Sequence, residues 1–593
     1  MRGSKDFLEA ATRLYGIENY VRGGFIRIDD DGYLVIVVNG EKIRIKEIMD
    51  SAGLDVAYIR VLPLIEKAMS IVYESFEKLS KELGYRGALV PLYPMKVNPT
   101  PIVVDAVFKY GEKYGWGFNA GSIGEVRLLK QLSAKYSPRM LIYDGVVTSS
   151  VLDELVDLKN RGWRVVVDIE SDHDAEILSS YPELEAGLRV KPLVKLCGKW
   201  HGSVGLGSKF GVTTNAIAKL KSDYKWLTER ATVLHMHPGS QIYRLRDLKN
   251  YFSEVRQVYA ELKNMGFENL VLVDPGGGMA YPYLDTREGS EESPDYTIDD
   301  YFRELLAAFS SVDPSLKLAF EGGRFIVAAH RLVVAKVIDV RPYSAVDSNG
   351  ESSEKLVEEV KRLIEEVDSY EDAEKLLGSV KSLLTQLKKS VPLDGARREV
   401  YEELVKLVRE DFAHKLASLV KTGQLDCREL LNHKALARLL TSPTKRFVLN
   451  MSIFADIPDA VLVDQYFQVV PAHRLNEPPD VLAVISDLTC DSMGELKEFI
   501  SASAGRGNDC VFTRLDSRLI LAPNTKLKLK GVPLHLPAKN ENYYLVFLDT
   551  GAYQDTLAMK HNLIYGAPEV VIDYNERSGK VEVRVMRHEE LYT

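Results

Sequence analysis

From about Ala88 to Val337 the chain repeats one pattern: a short apolar, β-rich run followed by a stretch with helical spacing. The runs are ALVPLYPMKV, GWGFNAGS, RMLIYDG, RVVVDIES, GLRVKPLVKL, ATVLHMHPGS, LVLVDPGGG and LKLAFEGGR. Strands that alternate with helices build a parallel sheet, and eight such strands close a barrel. The pattern predicts a (β/α)8 TIM-type barrel with its chemistry at the C-terminal ends of the strands.

The 593 residues exceed what one core holds. Upstream, FIRIDDDGYLVIVVNGEKIRI alternates and breaks at Asp-Gly and Asn-Gly, as hairpins do, and a helix is expected near Leu62 to Leu83. From Ser352 to Leu440 the chain is dense in Glu, Lys and Leu at helical spacing, which reads as an insertion. After Arg446 β-rich runs return. The expected fold is α/β plus β. Residues 1–80 hold hairpins and a helix, 81–340 the barrel, 345–442 the helical insertion and 443–593 a C-terminal β-domain. The terminal β-domain is expected to pair with the N-terminal hairpins, so that both chain ends build it.

The net charge of −9 weighs against a nucleic-acid partner and is compatible with a cationic substrate. No stretch approaches 18 uninterrupted apolar residues and the first residues lack the apolar core of a secretory signal, so neither a membrane span nor export is expected. Cys197, Cys427, Cys490 and Cys510 form no CxxC pair and no dense framework. They signal neither a zinc ribbon nor a disulfide scaffold, and a reducing, cytoplasmic compartment follows.

Several residues at strand ends carry chemistry. Lys96 ends a strand so apolar that its ammonium is costly to bury, unless a Schiff base with an aldehyde cofactor consumes it. The bland alternative is a salt-bridged lysine. Gly276, Gly277 and Gly278 follow another strand and allow backbone N–H groups to approach a phosphate, or simply make a turn. Glu321 and Arg324 end a third. A carboxylate there can hold a pyridine nitrogen protonated and an arginine can pair with phosphate, or the two form an internal ion pair. His235 and His237 alternate and so share a face. They read as metal ligands without a third partner, as a stacking platform, or as core. Far downstream, Cys490 beside Asp491 offers a proton donor and a substrate anchor, or a buried small side chain. Tyr553 offers its hydroxyl to a phosphate, or packs.

In combination, YPMKVNP, GFNAGSIGEV, GKWHGSVGLGSKFG, LHMHPGSQI, DPGGGMAYPY, EGGR, DLTCDSMGE and GAYQDTLAMKHNL resemble, in order, the biosynthetic arginine decarboxylases, pyridoxal-phosphate enzymes of the alanine-racemase-like class. The resemblance covers nearly the whole chain from about Tyr15. It implies that Lys96 holds pyridoxal 5'-phosphate and that His237 stacks on its ring. Glu321 would pair with the pyridine nitrogen, while Ser240, Gly277, Gly278, Arg324 and Tyr553 hold the phosphate. Cys490 would protonate the substrate Cα and Asp491 would meet its distal cation. The resemblance further implies a homodimer with shared sites, with a tetramer as the larger option, and brings in Mg²⁺ as an accessory ion. The implied reaction is L-arginine to agmatine and CO2, in putrescine and spermidine biosynthesis. Three positions depart from the family: Asn119 for its usual Glu, Gly322 for Ser, and Met493 for the second acid of TCDSDG. The last removes a carboxylate at the distal end of the substrate and keeps ornithine or lysine open as substrates. A non-catalytic regulatory homologue would have no need of Lys96, Glu321, Arg324 and Cys490 together, and a racemase would need a second Cα acid/base.

Overall fold

The eight apolar runs are the eight strands of a closed parallel barrel in the computed structural model, which describes residues 4–199, 202, 204–343, 355–389, 395–502, 510–523, 525–575 and 577–586. Trp200, His201 and Ser203 of the GKWHGSVG segment lie outside the described residues, as does the start of the insertion. The barrel strands are β1 (Leu89–Pro94), β2 (Gly117–Ala120), β3 (Met140–Tyr143), β4 (Arg164–Ile169), β5 (Glu185–Arg189), β6 (Ala231–His235), β7 (Leu272–Asp274) and β8 (Lys317–Phe320). Closure comes from β8 lying parallel to β1, with Leu318 opposite Leu89 and Phe320 opposite Pro91.

Helices alternate with these strands, and five of the connections carry a side-chain start signal. Ser122, Thr148, Ser171, Thr213 and Thr297 each accept a backbone N–H from the first turn that follows, and Thr297 forms a full capping box with Asp300. The helix Pro63–Leu83 has proline in its first turn and Gly84 in the left-handed region at its end. Its buried stripe includes Leu64, Ala68, Met69, Val72, Phe76 and Leu79. It packs on the helix Ile298–Ser310, where the Phe76 and Phe302 rings meet edge to face.

Beyond the barrel, the long strand Arg331–Pro342 organises the β-domain. Its first half pairs with Val56–Val61 on one side and Tyr544–Phe547 on the other; its second half pairs with Lys445–Leu449. Lys445–Leu449 in turn runs parallel to Val481–Ser486. Both chain ends therefore build this sheet, but the N-terminal contribution differs from the expectation. The hairpin strands Ile26–Ile28, Leu34–Val38 and Glu41–Arg44 form their own three-stranded sheet, and Val56–Val61 enters the large one. VAYIRV is too short a run beside a long helix to stand out as a strand.

The insertion leaves the sheet between Arg331–Pro342 and Lys445–Leu449, which pair antiparallel, so it extends the connection between two neighbouring strands. Its helices include Lys355–Glu365, Tyr370–Lys389, Gly395–Leu407, Ala413–Lys421 and Lys434–Leu440. The cysteine reading needs correction here. Cys427 in the insertion is disulfide-bonded to Cys510 in the β-domain, with Cα atoms 5.8 Å apart. The two are 83 positions apart, and sequence spacing alone carries no connectivity. Among the described residues no helix is long and apolar enough to cross a membrane.

Candidate active site

A strand's side chains alternate in direction, and the barrel interior shows that period as two layers. The lower layer is apolar. Leu92, Ile142, Val166, Val233, Leu272 and Ala319 are fully buried and form a cluster separate from the main core. Two residues further along β3, β4, β6, β7 and beyond β8, the same parity brings Asp144, Asp168, His235, Asp274 and Glu321. Arg189 joins them from β5, two residues beyond Gly187. A side chain at Gly187 would come within 2.1 Å of Asp168 Oδ1, so glycine keeps room for that carboxylate.

A cavity of about 790 Å³ opens at this end of the barrel, lined by Lys96, Asp144, Arg189, His237, Ser240 and Tyr553 among others. The Lys96 side chain is 44% exposed towards it, with Nζ 4.0 Å from Asp144 Oδ2. Withdrawal from water opposes the charge on Lys96, but Asp144 and Glu321 outweigh it and raise its pKa. Reciprocally, burial pushes Asp144 up while Lys96 and Arg189 hold it below the usual carboxylate range. The acid that the family carries at position 119 is here Asn119, and the carboxylate facing Lys96 is Asp144 from the next strand.

His235 and His237 do not share a role. The strand ends at His235, whose Nδ1 meets Asp168 Oδ2 at 2.5 Å, and Asp168 raises its pKa against the effect of burial. His237 lies beyond the strand and lines the cavity, with Nδ1 accepting the Gly239 N–H. Burial, then Lys96 and Arg189, push its pKa well down, so its ring is neutral. The glycine turn packs against that ring. Gly276 and Gly278 have φ of +70° and +93°, and a Cβ at Gly276 would lie 2.8 Å from His237 Cα.

Arg324 sits behind Ser240 and Tyr553. Its Nε donates to Ser240 Oγ at 3.3 Å and its Nη1 to the Tyr283 hydroxyl at 2.9 Å, and its guanidinium lies 4.7 Å from the centre of the Tyr553 ring. Tyr553, more than 450 residues from Lys96 in sequence, is held there because its N–H donates to Val97 O, while Asn98 Nδ2 donates to Asp555 and to Gly551 O. Gly322, where the family has Ser, is explained by Phe320: a Cβ would come within 2.2 Å of its ring.

Among the buried polar atoms without a hydrogen-bond partner are Arg324 Nη2 and both carboxyl oxygens of Glu321; Asp168 Oδ1, His235 Nε2 and Asp274 Oδ2 are others in the barrel. Burial and the nearby Asp274 push Glu321 up to about 8. An anion answers the first vacancy and a protonated ring nitrogen the second, while Lys96 offers an amine to an aldehyde. These residues fit pyridoxal phosphate. They do not fit Mg²⁺: ligand atoms of His235, Asp274 and Glu321 lie within 4.8 Å of one another, but this buried imidazole–carboxylate set is not the oxygen shell that Mg²⁺ demands.

Cys490 and Asp491 lie elsewhere. They sit in an exposed turn after Val481–Ser486, with Cys490 Sγ 3.5 Å from Asn562 Nδ2 and Asp491 Oδ2 3.7 Å from His561 Nε2. Neither lines the cavity of its own chain. Met493 beside them is 55% exposed. Sequence reasoning missed Asp144, Asp168, Arg189 and Asp274. Their available signal was a polar residue two positions after an inward apolar or glycine position of a barrel strand.

The family described as "Pyridoxal-dependent decarboxylase, pyridoxal binding domain" matches residues 69–328. A biosynthetic arginine decarboxylase of Bacteroides thetaiotaomicron is 26% identical over 97% of this chain and 89% of its own length. The crystal structure of the biosynthetic arginine decarboxylase of Campylobacter jejuni superposes with a TM-score of 0.72 at 26% identity, over 97% of this chain and 90% of that one. A lysine/ornithine decarboxylase from Vibrio vulnificus shares the fold at 15% identity, with a TM-score of 0.52 over 91% and 99% of the two chains. Residues 69–328 thus match the pyridoxal-binding domain of the pyridoxal-dependent decarboxylases, and the chain is similar over nearly its whole length to biosynthetic arginine decarboxylases.

Proposed function

We propose that the protein decarboxylates L-arginine to agmatine and CO2, a step towards putrescine and spermidine, in the cytoplasm. The observation that carries this reading is the pair of orphaned buried groups, Arg324 Nη2 and the Glu321 carboxyl, at a cavity into which Lys96 opens. The choice of arginine rests on the full-length likeness to enzymes named for it.

When bound, pyridoxal phosphate supplies the sink for the electron pair left as CO2 departs. Lys96 Nζ would bind its aldehyde and, beside Asp144, would carry and release the proton at that nitrogen. Glu321 would hold a proton on the ring nitrogen. His237 would offer an uncharged face to the ring. Arg324, Ser240 and Tyr553, with the N–H groups of Gly277 and Gly278, would hold the phosphate.

The remaining groups come from a second copy in a homodimer, or in a tetramer built from it. The partner subunit's Cys490 delivers a proton to the substrate Cα, and the partner subunit's Asp491 takes the guanidinium. The exposure of Cys490, and the absence of both residues from the cavity lining of their own chain, support this arrangement. Met493 favours a second reading, decarboxylation of ornithine or lysine, because it leaves the distal cation one acid poorer. A CO2-release assay across arginine, ornithine, lysine and diaminopimelate separates the two. Arginine is expected to give the highest kcat/KM, and faster turnover of ornithine or lysine would overturn the assignment.

A further inference from the structure

A second cavity, of about 980 Å³, lies between the helical insertion and the β-domain and shares no residue with the first. Its walls come from the helices Tyr370–Lys389, Gly395–Leu407 and Lys434–Leu440, and part of its lining is Arg518 from the hairpin Val511–Phe512 and Leu519–Leu521. Five cations line it: Lys381, Arg398, Arg409, Arg438 and Arg518. Among the described residues its one lining carboxylate, Glu402, is taken by Arg398 at 2.9 Å. Leucine, valine and tyrosine side chains supply the apolar part of the wall.

Arg518 is the least expected of these residues. It is 1% exposed, and its Nε has no hydrogen-bond partner. Its two terminal nitrogens donate to the carbonyls of Leu439 and Arg409, which carry no full charge. Asp516 Oδ2 stands 4.0 Å away and already accepts from Thr444 Oγ1 and the Leu482 N–H. A buried guanidinium so weakly compensated is costly, and a close anion would offset that cost. The hairpin that carries it is fixed in place. Cys427–Cys510 ties its first strand to the insertion, and Ser517 meets His414 at 3.0 Å and Lys421 at 3.4 Å. The cationic surface is therefore preformed.

We propose that this cavity binds a nucleotide-sized organic polyphosphate. The phosphates would sit against Arg518 and the arginines around it, and the organic body would lie on the apolar wall. Charge selects the anion, because guanidinium groups pair with phosphate oxygens in a fixed geometry. Volume selects the size class, because a space this large suits a small organic molecule and is poorly filled by an inorganic ion.

The test uses full-length protein saturated with pyridoxal phosphate, so that the first phosphate site is occupied, and ATP without divalent metal as the probe. Isothermal titration should show saturable binding near one per chain that weakens as salt rises. The exposed pair R398E/R438E should weaken it by about tenfold or more while CO2 release and the cofactor's absorbance stay unchanged. Arg518→Met should weaken it too; if that buried change prevents folding, the exposed pair still decides. No ATP binding at millimolar concentration would overturn the proposal. So would undiminished binding by the charge-reversed variant.

Discussion

The barrel mouth and the Cys490 turn are built on opposite plans. At the mouth, Asp144, Asp168, His235, Asp274 and Glu321 stand at strand ends above an apolar layer, and neighbours bias the charge states there: Asp144 by Lys96 and Arg189, His235 by Asp168. At the turn, Cys490 and Met493 are open to solvent and Asp491 is half-buried, and the side-chain contacts there include a loose cysteine–asparagine pair, a distant histidine and the Met493 N–H on Asp491. The first region gathers its polar groups within one chain, and Cys490 and Asp491 do not line its cavity. On the proposed reading the cofactor half of the chemistry is carried by one chain, and the proton-donor and distal-recognition half is supplied by a second copy.

The sharpest break in this comparison is Lys96→Ala. It should lower turnover by at least about 10³-fold and abolish borohydride fixation of the cofactor. In the unaltered protein the fixed cofactor should map to the peptide carrying Lys96, and labelling at another lysine would remove Lys96 from the site. Cys490→Ala should cost about 10²-fold in kcat with the cofactor's absorbance unchanged, since a positioned proton donor contributes on that scale. The two lesions then test whether sites are shared. When the two inactive variants are mixed and exchange subunits, half the dimers are mixed, and one of the two sites in each carries neither lesion. Roughly a quarter of the unaltered activity should return. No recovery, with subunit exchange shown by mass spectrometry, would mean that each chain supplies its own cysteine.

The barrel was legible in the sequence because eight short β-rich runs recur with helices between them. Lys96, His237, Glu321 and Arg324 could be noticed as chemically costly residues at the ends of such runs. Asp144, Asp168, Arg189 and Asp274 were passed over, because each is ordinary as a residue and its signal, a place two positions after an inward apolar or glycine position, gains meaning only when barrel closure brings strand ends together. Tyr553 was read as a hydroxyl for a phosphate with packing as its alternative; what places it, the bond from its N–H to Val97 O, is a contact between distant parts of the chain. The Val56–Val61 strand and the Cys427–Cys510 bridge escaped for the same reason: pairing across long separations leaves no local pattern.

A third expectation is smaller and concerns stability at the mouth. Burial, then Asp274, raises Glu321 from an ordinary 4.5 to about 8 in the folded protein without cofactor. Between those values the unfolded chain has released the proton and the folded chain keeps it. The folded state binds more protons there, so stability falls as pH rises from about 4.5 towards 8. The cofactor-free protein should therefore melt lower at pH 8 than at pH 5, by a few kcal/mol at most from this group. Glu321→Gln, which cannot ionise, should flatten that slope in differential scanning calorimetry. An equal slope in both proteins would show that Glu321 does not titrate in this range and would weaken its assignment to the ring nitrogen.

The smallest expected effect tests the open region itself. Met493 follows Asp491 by two residues, its N–H donates to Asp491 Oδ1, and its side chain is 55% exposed. If this turn closes over a neighbouring subunit's cavity, position 493 sits beside the distal end of the substrate. A carboxylate there would add an acceptor for a guanidinium, which offers paired N–H donors, and would do less for the single ammonium of ornithine. Met493→Asp should raise the ratio of kcat/KM for arginine over ornithine by roughly fivefold, about 1 kcal/mol, with the change carried mainly in KM. The substitution is on the surface of the isolated chain, so folding and cofactor absorbance should be unaffected. A ratio that does not move would separate position 493 from the substrate and leave specificity to Asp491 and the cavity wall. A ratio that moves towards ornithine would mean that the turn approaches the cavity with the opposite face, and the assignment of Cys490 as proton donor would fall with it.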